Sequence, residues 1–510
     1  MIKKRIILIS VLSVLFILMT IGYFVFVDPL LRDNHNHDNI ELLDGEVLGS
    51  ANSILMFDQV ERANLESIEV QNTHGSYTFF YDKDKKDFFI KDYTNAPYNN
   101  EMIATLVTSA GYPNTMKRVT TKADNFSEYG LGEKDNPASY VLKTRDGITH
   151  TVYIGKMIPT GAGYYARYSG RDAVYIVEAS ISKTLLAPVT NLISPMLFLP
   201  STQTNYFAVK DFIIVKGGTP FVKINTETQT TTDENGNKYE EFVKYRMDFP
   251  AEYSVSDNYD SLLQSFMEFS GEYVVALGKD EKLVSDDVLE KYNLKKPAYE
   301  LLFTHNGIDN DILISEKDEN GIYYAYSLMF NVVCAMSKDT LSFLEWGLLN
   351  FINKPLVNLD IEEVSSISVS SKDFEETFLL YFSEGESEQN PVTGTVTTIK
   401  NLDVKMKSNG KYVKSSQDFR HFYMGILTTN LVTYADVEDE KGLELLAKVT
   451  VITTKGKKME FAFYPYATRR CFYTLNGKGE FYVLKDGVEK IVNDAIRVTK
   501  GEPVNYLDKE

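Results

Sequence analysis

One pattern returns three times along this 510-residue chain at intervals of about 160, so whatever unit it encodes is built three times over. Met102, Ile103, Leu106 and Val107 form an apolar stripe of helical period, after Asn99 and Asn100 and before Gly111 and Pro113. Leu262, Leu263, Phe266 and Met267 repeat it after Ser256 and Asp257, and Phe422, Tyr423, Ile426 and Leu427 repeat it after Ser415 and Ser416. Each helix is preceded by a strand-like pair: Ile68 to Val70 with Tyr77 to Tyr81, Phe212 to Val215 with Phe221 to Ile224, and Ile367 to Val369 with Phe378 to Phe382. Hairpin signals follow about Asp146-Gly147, Asn306-Gly307 and Lys455-Gly456. Each copy closes on an aromatic strand pair and a short helix: Ser180 to Leu186, Asp339 to Trp346 and Val488 to Ala495.

Ahead of the repeats, Lys3, Lys4 and Arg5 precede an uncharged run from Ile6 to Val27. As a helix it would be about 33 Å long, against a hydrocarbon core of about 30 Å. The basic cluster before the run and Asp28 after it orient the N-terminus to the cytoplasm. The run ends in Tyr23, Phe24, Val25, Phe26 and Val27 instead of small residues, and no Cys follows, which favours an uncleaved anchor over a signal peptide or a lipoprotein. The expected fold is α+β: an N-terminal transmembrane helix followed by three tandem α+β repeats with antiparallel sheets. The expected divisions are 1–27, anchor; 28–64, extracytoplasmic tether; and repeats at 65–200, 201–356 and 357–510. Within the tether, Ser53 to Phe57 reads as a strand packing on the first repeat.

Composition narrows the function. Fifty-three Lys and Arg against 71 Asp and Glu give a formal charge of -18, which leaves no basic surface for nucleic acid. Without Lys3, Lys4 and Arg5 the remainder is three charges more negative, and anionic headgroups repel it. The two cysteines, Cys334 and Cys471, sit in apolar surroundings that suit buried thiols, with a single bridge as the alternative.

Local motifs supply no catalytic, cofactor or metal site. His35, His37 and Asp38 lie in a polar terminal stretch without second-shell partners. Asp82, Asp84 and Asp87 lack the glycine and closing glutamate of a calcium loop and suit a hairpin tip. Gly161-Ala162-Gly163-Tyr164-Tyr165-Ala166 has the letters of a dinucleotide fingerprint but leads into a strand, not a helix, so it reads as a turn. His74, His150, His305 and His421 are isolated in sequence. Among 33 Tyr and 30 Phe, the run Tyr164, Tyr165 and Tyr168 is the candidate binding surface, although aromatics also favour strands for packing alone. The polar stretches Thr226 to Glu241 and Ser383 to Thr398 read as long hairpin loops.

Asp44-Gly45-Glu46-Val47-Leu48-Gly49, Gln59-Val60-Glu61-Arg62, Ser67-Ile68-Glu69-Val70 with Gly75-Ser76-Tyr77-Thr78-Phe79, Tyr129-Gly130-Leu131, and Tyr153-Ile154-Gly155-Lys156 with Pro159-Thr160-Gly161 resemble the bacterial family known as domain of unknown function 4340. The resemblance extends over nearly the whole chain, is clearest in the first copy and weakest in the third. It implies a membrane-anchored protein, often encoded beside ABC-transporter components and gliding-type auxiliary proteins; that family has no established catalytic residues to carry over. The expected function is a non-enzymatic extracytoplasmic scaffold or auxiliary subunit, in the bilayer through residues 6–27 and partnered by a membrane protein such as an ABC-transporter permease. A surface module for glycan or peptide is the alternative, and a hydrolase the third.

Overall fold

The computed structural model describes residues 41–49, 53–199, 209–233, 236–266, 269–385, 387–389, 396–398 and 400–505. The expected anchor, residues 6–27, His35, His37 and Asp38 of the tether, and Met267 of the second stripe lie outside them. Among the described residues no helix is long and apolar enough to cross a membrane. The fold is α+β, with three antiparallel sheets. Two compact units result: one ends at Leu192, and the other runs from Ile193 onward together with Asn95–Pro97.

The first sheet contains β1 (Val47–Leu48), β2 (Ile54–Leu55), β3 (Leu65–Asn72), β4 (Gly75–Asp82) and β5 (Asp87–Ile90). After helix α1 (Asn100–Gly111) come β6 (Asn114–Thr120), β7 (Ala138–Thr144), β8 (Thr149–Met157), β9 (Gly163–Tyr168) and β10 (Val174–Glu178). The second sheet has β11 (Val209–Lys216), β12 (Thr219–Thr232) and β13 (Lys238–Phe249), then α2 (Asp257–Ser265), β14 (Tyr273–Leu277) and α3 (Asp286–Lys291). It continues with β15 (Tyr299–His305), β16 (Ile308–Ile314), β17 (Tyr323–Ser327), β18 (Val332–Met336) and the short α4 (Leu348–Phe351). The third has β19 (Val364–Ser371), β20 (Phe374–Ser383) and β23 (Asn401–Met406), and between β20 and β23 the strands β21 (Ser387–Gln389) and β22 (Val396–Thr398) form a separate two-stranded sheet. Then follow α5 (Ser416–Thr428), β24 (Leu431–Tyr434), β25 (Ala447–Thr453), β26 (Lys458–Ala467), β27 (Arg470–Leu475), β28 (Lys478–Leu484) and α6 (Lys485–Lys500).

All three sheets share one order. The second reads β13-β12-β11-β15-β16-β17-β18-β14, the third β23-β20-β19-β25-β26-β27-β28-β24, and the first repeats this with β2 and β1 added beside β6. In the second and third sheets the strand before the main helix and the strand after it lie at opposite edges, and in the first β5 is one edge while β6 is third from the other, so the connection carrying that helix crosses the sheet. The buried residues of β3, β4 and β7, among them Ile68, Val70, Tyr77, Phe79, Tyr140 and Leu142, stand in register and alternate with more exposed neighbours, as one covered face demands.

Local chemistry fixes the ends. The Asn99 side chain accepts from the Met102 amide at 3.2 Å and the Ser415 hydroxyl from the Asp418 amide at 3.1 Å, each relieving an unpaired donor at a helix start. Asn306 and Gly307, both at positive φ, turn β15 into β16 as a two-residue hairpin requires. The expected closing helices of the first two copies are tight 3-10 turns, Ala179–Lys183 and Ser342–Glu345. In the third copy the helix is twice the expected length, because Val488, Ile491, Ala495 and Val498 give it an apolar stripe buried in that copy's core.

Two expectations need correction. Thr226 to Glu241 is not a loop: β12 and β13 run through it as a paired ribbon, and β21 with β22 form a smaller one within Ser383 to Thr398. The segment Ile193–Leu199, placed by sequence in the first repeat, packs in the second compact unit. Met196 bridges Ser270, the Leu197 carbonyl accepts from the Ser327 hydroxyl, and Phe198 sits against Phe303 and Phe266. Likewise Ile54 and Leu55 pair with β6, and Pro355 bridges Asn430. The edge strand after each main helix is thus met by chain from just upstream of its own copy. Cys334 and Cys471 are free and buried, and burial pushes both thiols up to about 12.

Candidate binding cleft

The three tyrosines singled out by sequence do not share a face. Side chains alternate along β9, so Tyr164 and Tyr168 lie on the side of the buried Ala166 and Tyr165 on the other. Tyr165 meets the Tyr129 ring edge-on at 5.1 Å. The Tyr168 hydroxyl lies 3.1 Å from His150 Nδ1, and the Arg171 guanidinium lies over the Tyr168 ring at 4.4 Å. All three are half-buried.

The histidines stay apart. His150 stacks on Phe57 at 3.9 Å, and burial followed by the nearby Arg171 charge lowers its pKa, against an opposing Asp146. His305 is buried edge-on to Phe198, and burial lowers it too. His421 Nδ1 lies 2.7 Å from the Val504 carbonyl and its Nε2 2.9 Å from the Gln417 amide. The backbone amide of His74 donates to the Asn72 side chain in an exposed turn. Among the described residues no group of three or more His, Cys, Asp or Glu is placed to hold a metal ion.

A cleft of about 500 Å³ opens between the second and third sheets, inside one compact unit. That volume lies within the usual range of ligand sites, about 300–1,000 Å³. One wall is β13, from Phe242 to Met247 without a gap; the opposite wall includes Thr453, Lys455, Lys457 and Met459. Apolar side chains line it deeper down: Met247, Tyr253, Leu431, Phe461, Tyr473 and Leu475, all buried. Burial drives the Tyr253 and Tyr473 hydroxyls far above the usual range, so both remain neutral.

The linker from Phe351 to Leu356 is bonded on both flanks. On one, the Ser256 amide donates to the Phe351 carbonyl at 3.0 Å and the Asn353 amide to the Ser254 carbonyl at 2.7 Å. On the other, the Leu431 amide donates to the Lys354 carbonyl at 2.7 Å and the Leu356 amide to the Thr429 carbonyl at 3.0 Å. The Ser256 hydroxyl, in capping position for α2, donates instead to the Asn350 carbonyl at 2.7 Å, so a helix-start residue is spent on the junction. Across the cleft Lys457 Nζ lies 2.6 Å from Glu252, and Tyr253 packs edge-on to Phe481.

Several charges along the walls are paired. The Tyr245 hydroxyl donates to Asp260 at 2.6 Å, and Arg246 reaches Asp248 and Glu227, each at 2.7 Å. Asp248, then Glu227, hold the guanidinium above its ordinary pKa against partial burial. The arrangement offers main-chain groups, a greasy floor and charges of both signs, which suit binding. Sequence reasoning missed this site because Thr226 to Glu241 was read as a loop and the strand that continues it through Phe242 to Met247 was not recognised. The threonines at 226, 228, 230, 231 and 232 were the available signal, since β-branched residues favour strands even where no apolar alternation is present.

No curated protein and no solved structure matches the chain. Residues 89–297 match the family described as a domain of unknown function, DUF4340, a shorter span than the sequence resemblance implied, running from β5 of the first sheet to the residues just before β15 of the second.

Proposed function

We propose that this protein is a non-enzymatic extracytoplasmic scaffold or auxiliary subunit of a membrane complex, retained at the bilayer by residues 6–27. The observation that carries the reading is the linker between the second and third sheets, hydrogen-bonded on both flanks, which makes two copies of the repeat one body with a cleft at their seam. A rigid pair of modules holds binding groups at a set spacing, and confinement to a membrane raises their effective concentration for a neighbouring subunit. The ABC-transporter permease as partner comes from the family resemblance and is part of the proposal. Affinity purification of the full-length chain from its native membranes in mild detergent tests it: a membrane subunit recovered in near-stoichiometric amount supports the reading, and recovery of the chain alone overturns it. The cleft itself favours a second reading, a surface module that binds peptide or glycan, because the cleft is lined on both sides and has the volume of a ligand site.

A further inference from the structure

Buried tyrosines elsewhere in the chain give their hydroxyls to protein acceptors: Tyr77 to the Thr184 carbonyl at 3.3 Å, Tyr175 to Glu46 at 2.7 Å and Tyr423 to the Leu359 carbonyl at 2.9 Å. A phenol buried without a partner gives up its hydrogen bonds to water with no replacement. In the cleft Tyr253 and Tyr473 depart from this pattern. They are 7% and 1% exposed and both line it, yet neither hydroxyl is bonded to a described residue. Nor is either sealed away, unlike that of Tyr259, which is enclosed in the core without a partner. Tyr253 comes from the segment between β13 and α2 and Tyr473 from β27, so the second copy supplies one hydroxyl and the third copy the other. The two are near enough for Tyr253 to add to the rise in the Tyr473 pKa, and both keep their protons.

We infer that the cleft binds an uncharged stretch of glycan about two sugar units long, with the Tyr253 and Tyr473 hydroxyls as the polar contacts on its floor. A phenol hydroxyl both donates and accepts, and so does a sugar hydroxyl, so each contact can form in either direction. The buried apolar side chains beside the pair, Leu431, Phe461 and Leu475, suit the C-H faces of a sugar ring. At the mouth Lys244, Lys455 and Lys457 stand with Glu252, Asp257 and Glu363, all exposed. Together they offer the hydroxyls of a neutral ligand both donors and acceptors, whereas a highly charged ligand of either sign meets repulsion as well as attraction. On the scale by which about 150 Å³ holds a benzene ring, the cleft's volume of about 500 Å³ holds about twenty heavy atoms, the size of two sugar units. This inference rests on the cleft being a binding site and deepens that reading; it does not depend on a membrane partner.

The test uses the full-length protein in a polyoxyethylene detergent, because alkyl glycosides would themselves compete. Saturation-transfer NMR is run with maltose, cellobiose, lactose and N,N′-diacetylchitobiose, and with tetra-alanine as the peptide counterpart. At least one disaccharide binds saturably, and Tyr253→Phe and Tyr473→Phe each weaken that binding about fivefold or more, since a sugar hydroxyl is left unpaired. Neither substitution lowers the urea midpoint, because no hydrogen bond within the protein is lost; hydroxyls with a structural role would lower it. The inference is overturned if no disaccharide binds, if the phenylalanine variants bind sugar as wild type does, or if both variants lose stability. Tetra-alanine bound in place of every sugar overturns it too, while leaving the cleft a binding site. Co-purification with a membrane subunit is read separately, so failure of the glycan, of the cleft and of the scaffold reading are distinguishable.

Discussion

Replacing Glu46 by glutamine tests what holds the segment before the first repeat. The Glu46 side chain is wholly buried, and it accepts from the Tyr175 hydroxyl at 2.7 Å, from the Leu43 amide at 2.8 Å, and from Arg118. Arg118 is itself only 14% exposed at its side chain and donates further to the Glu41 carbonyl at 2.7 Å. Gly45 precedes it at a φ of +74°, and a Cβ there would come within 2.6 Å of an Arg171 nitrogen. Glutamine keeps the shape but leaves a buried guanidinium without its counter-charge, a loss of about 3–5 kcal/mol. At about 1.4 kcal/mol per factor of ten, amide exchange in residues 43–57 accelerates roughly 150-fold to several thousand-fold. Hydrogen exchange followed by mass spectrometry reads this peptide by peptide. Acceleration confined to residues 43–57 and β6 identifies a strap that opens alone; equal acceleration in β3 and β7 identifies a part of the cooperative core. Tyr175→Phe removes one donor and leaves a buried acceptor, with a smaller effect of about 1–3 kcal/mol. An acceleration under about fivefold for Glu46→Gln would refute the reasoning, since the pair would then be no stronger than an exposed one.

Two further outcomes are expected. Burial, then the Glu300 charge and a hydrogen bond to it, raise the Asp311 carboxyl to about 6. A pKa raised above its unfolded value adds stability that is complete at pH below about 4 and lost as pH rises through about 6. Asp311→Asn fixes the neutral form, so its urea midpoint, followed by Trp346 fluorescence, gains on wild type between pH 4.5 and 7. A difference that does not change with pH refutes this. Gly155→Ala destabilises the first compact unit by about 1–3 kcal/mol, because its Cβ would stand 2.3 Å from the Tyr129 carbonyl oxygen and backbone would have to shift; near-UV circular dichroism in urea reads the loss, and an unchanged midpoint contradicts the close approach.

What the sequence disclosed was whatever one buried face imprints on it. The stripes of α1, α2 and α5 and the strands about Asp146-Gly147 and Asn306-Gly307 show because core-facing residues recur at 3.6 or 2 and the turns demand positive φ. The strands before and after each main helix stayed hidden. They lie at sheet edges, where half the environment is water and polar residues serve: β13 is mostly exposed, and β5 has four residues. Their placement at opposite edges is a property of topology, decided by a connection that crosses the sheet. The cleft was illegible for a related reason, since its lining comes from widely separated stretches of sequence, between Phe242 and Leu475, that no local motif unites. The aromatic run at Tyr164 divides between two faces because adjacent residues in a strand face opposite ways.

The repeat period itself carries a structural consequence. Were each copy a closed domain, its boundary would fall between sheets and the linkers would be passive. Instead the chain that leaves one copy completes the next: Met196 meets Ser270 and Pro355 meets Asn430, while Ile54 and Leu55 serve the first copy. An exposed edge is a site for unwanted pairing, so sealing it from upstream protects every copy at one end and leaves the other end to local measures. In the first sheet that measure is shortness, with the four residues of β5. In the second, β13 lines the cleft that separates it from the third sheet, and the linker bonded on both flanks sets the walls of that cleft.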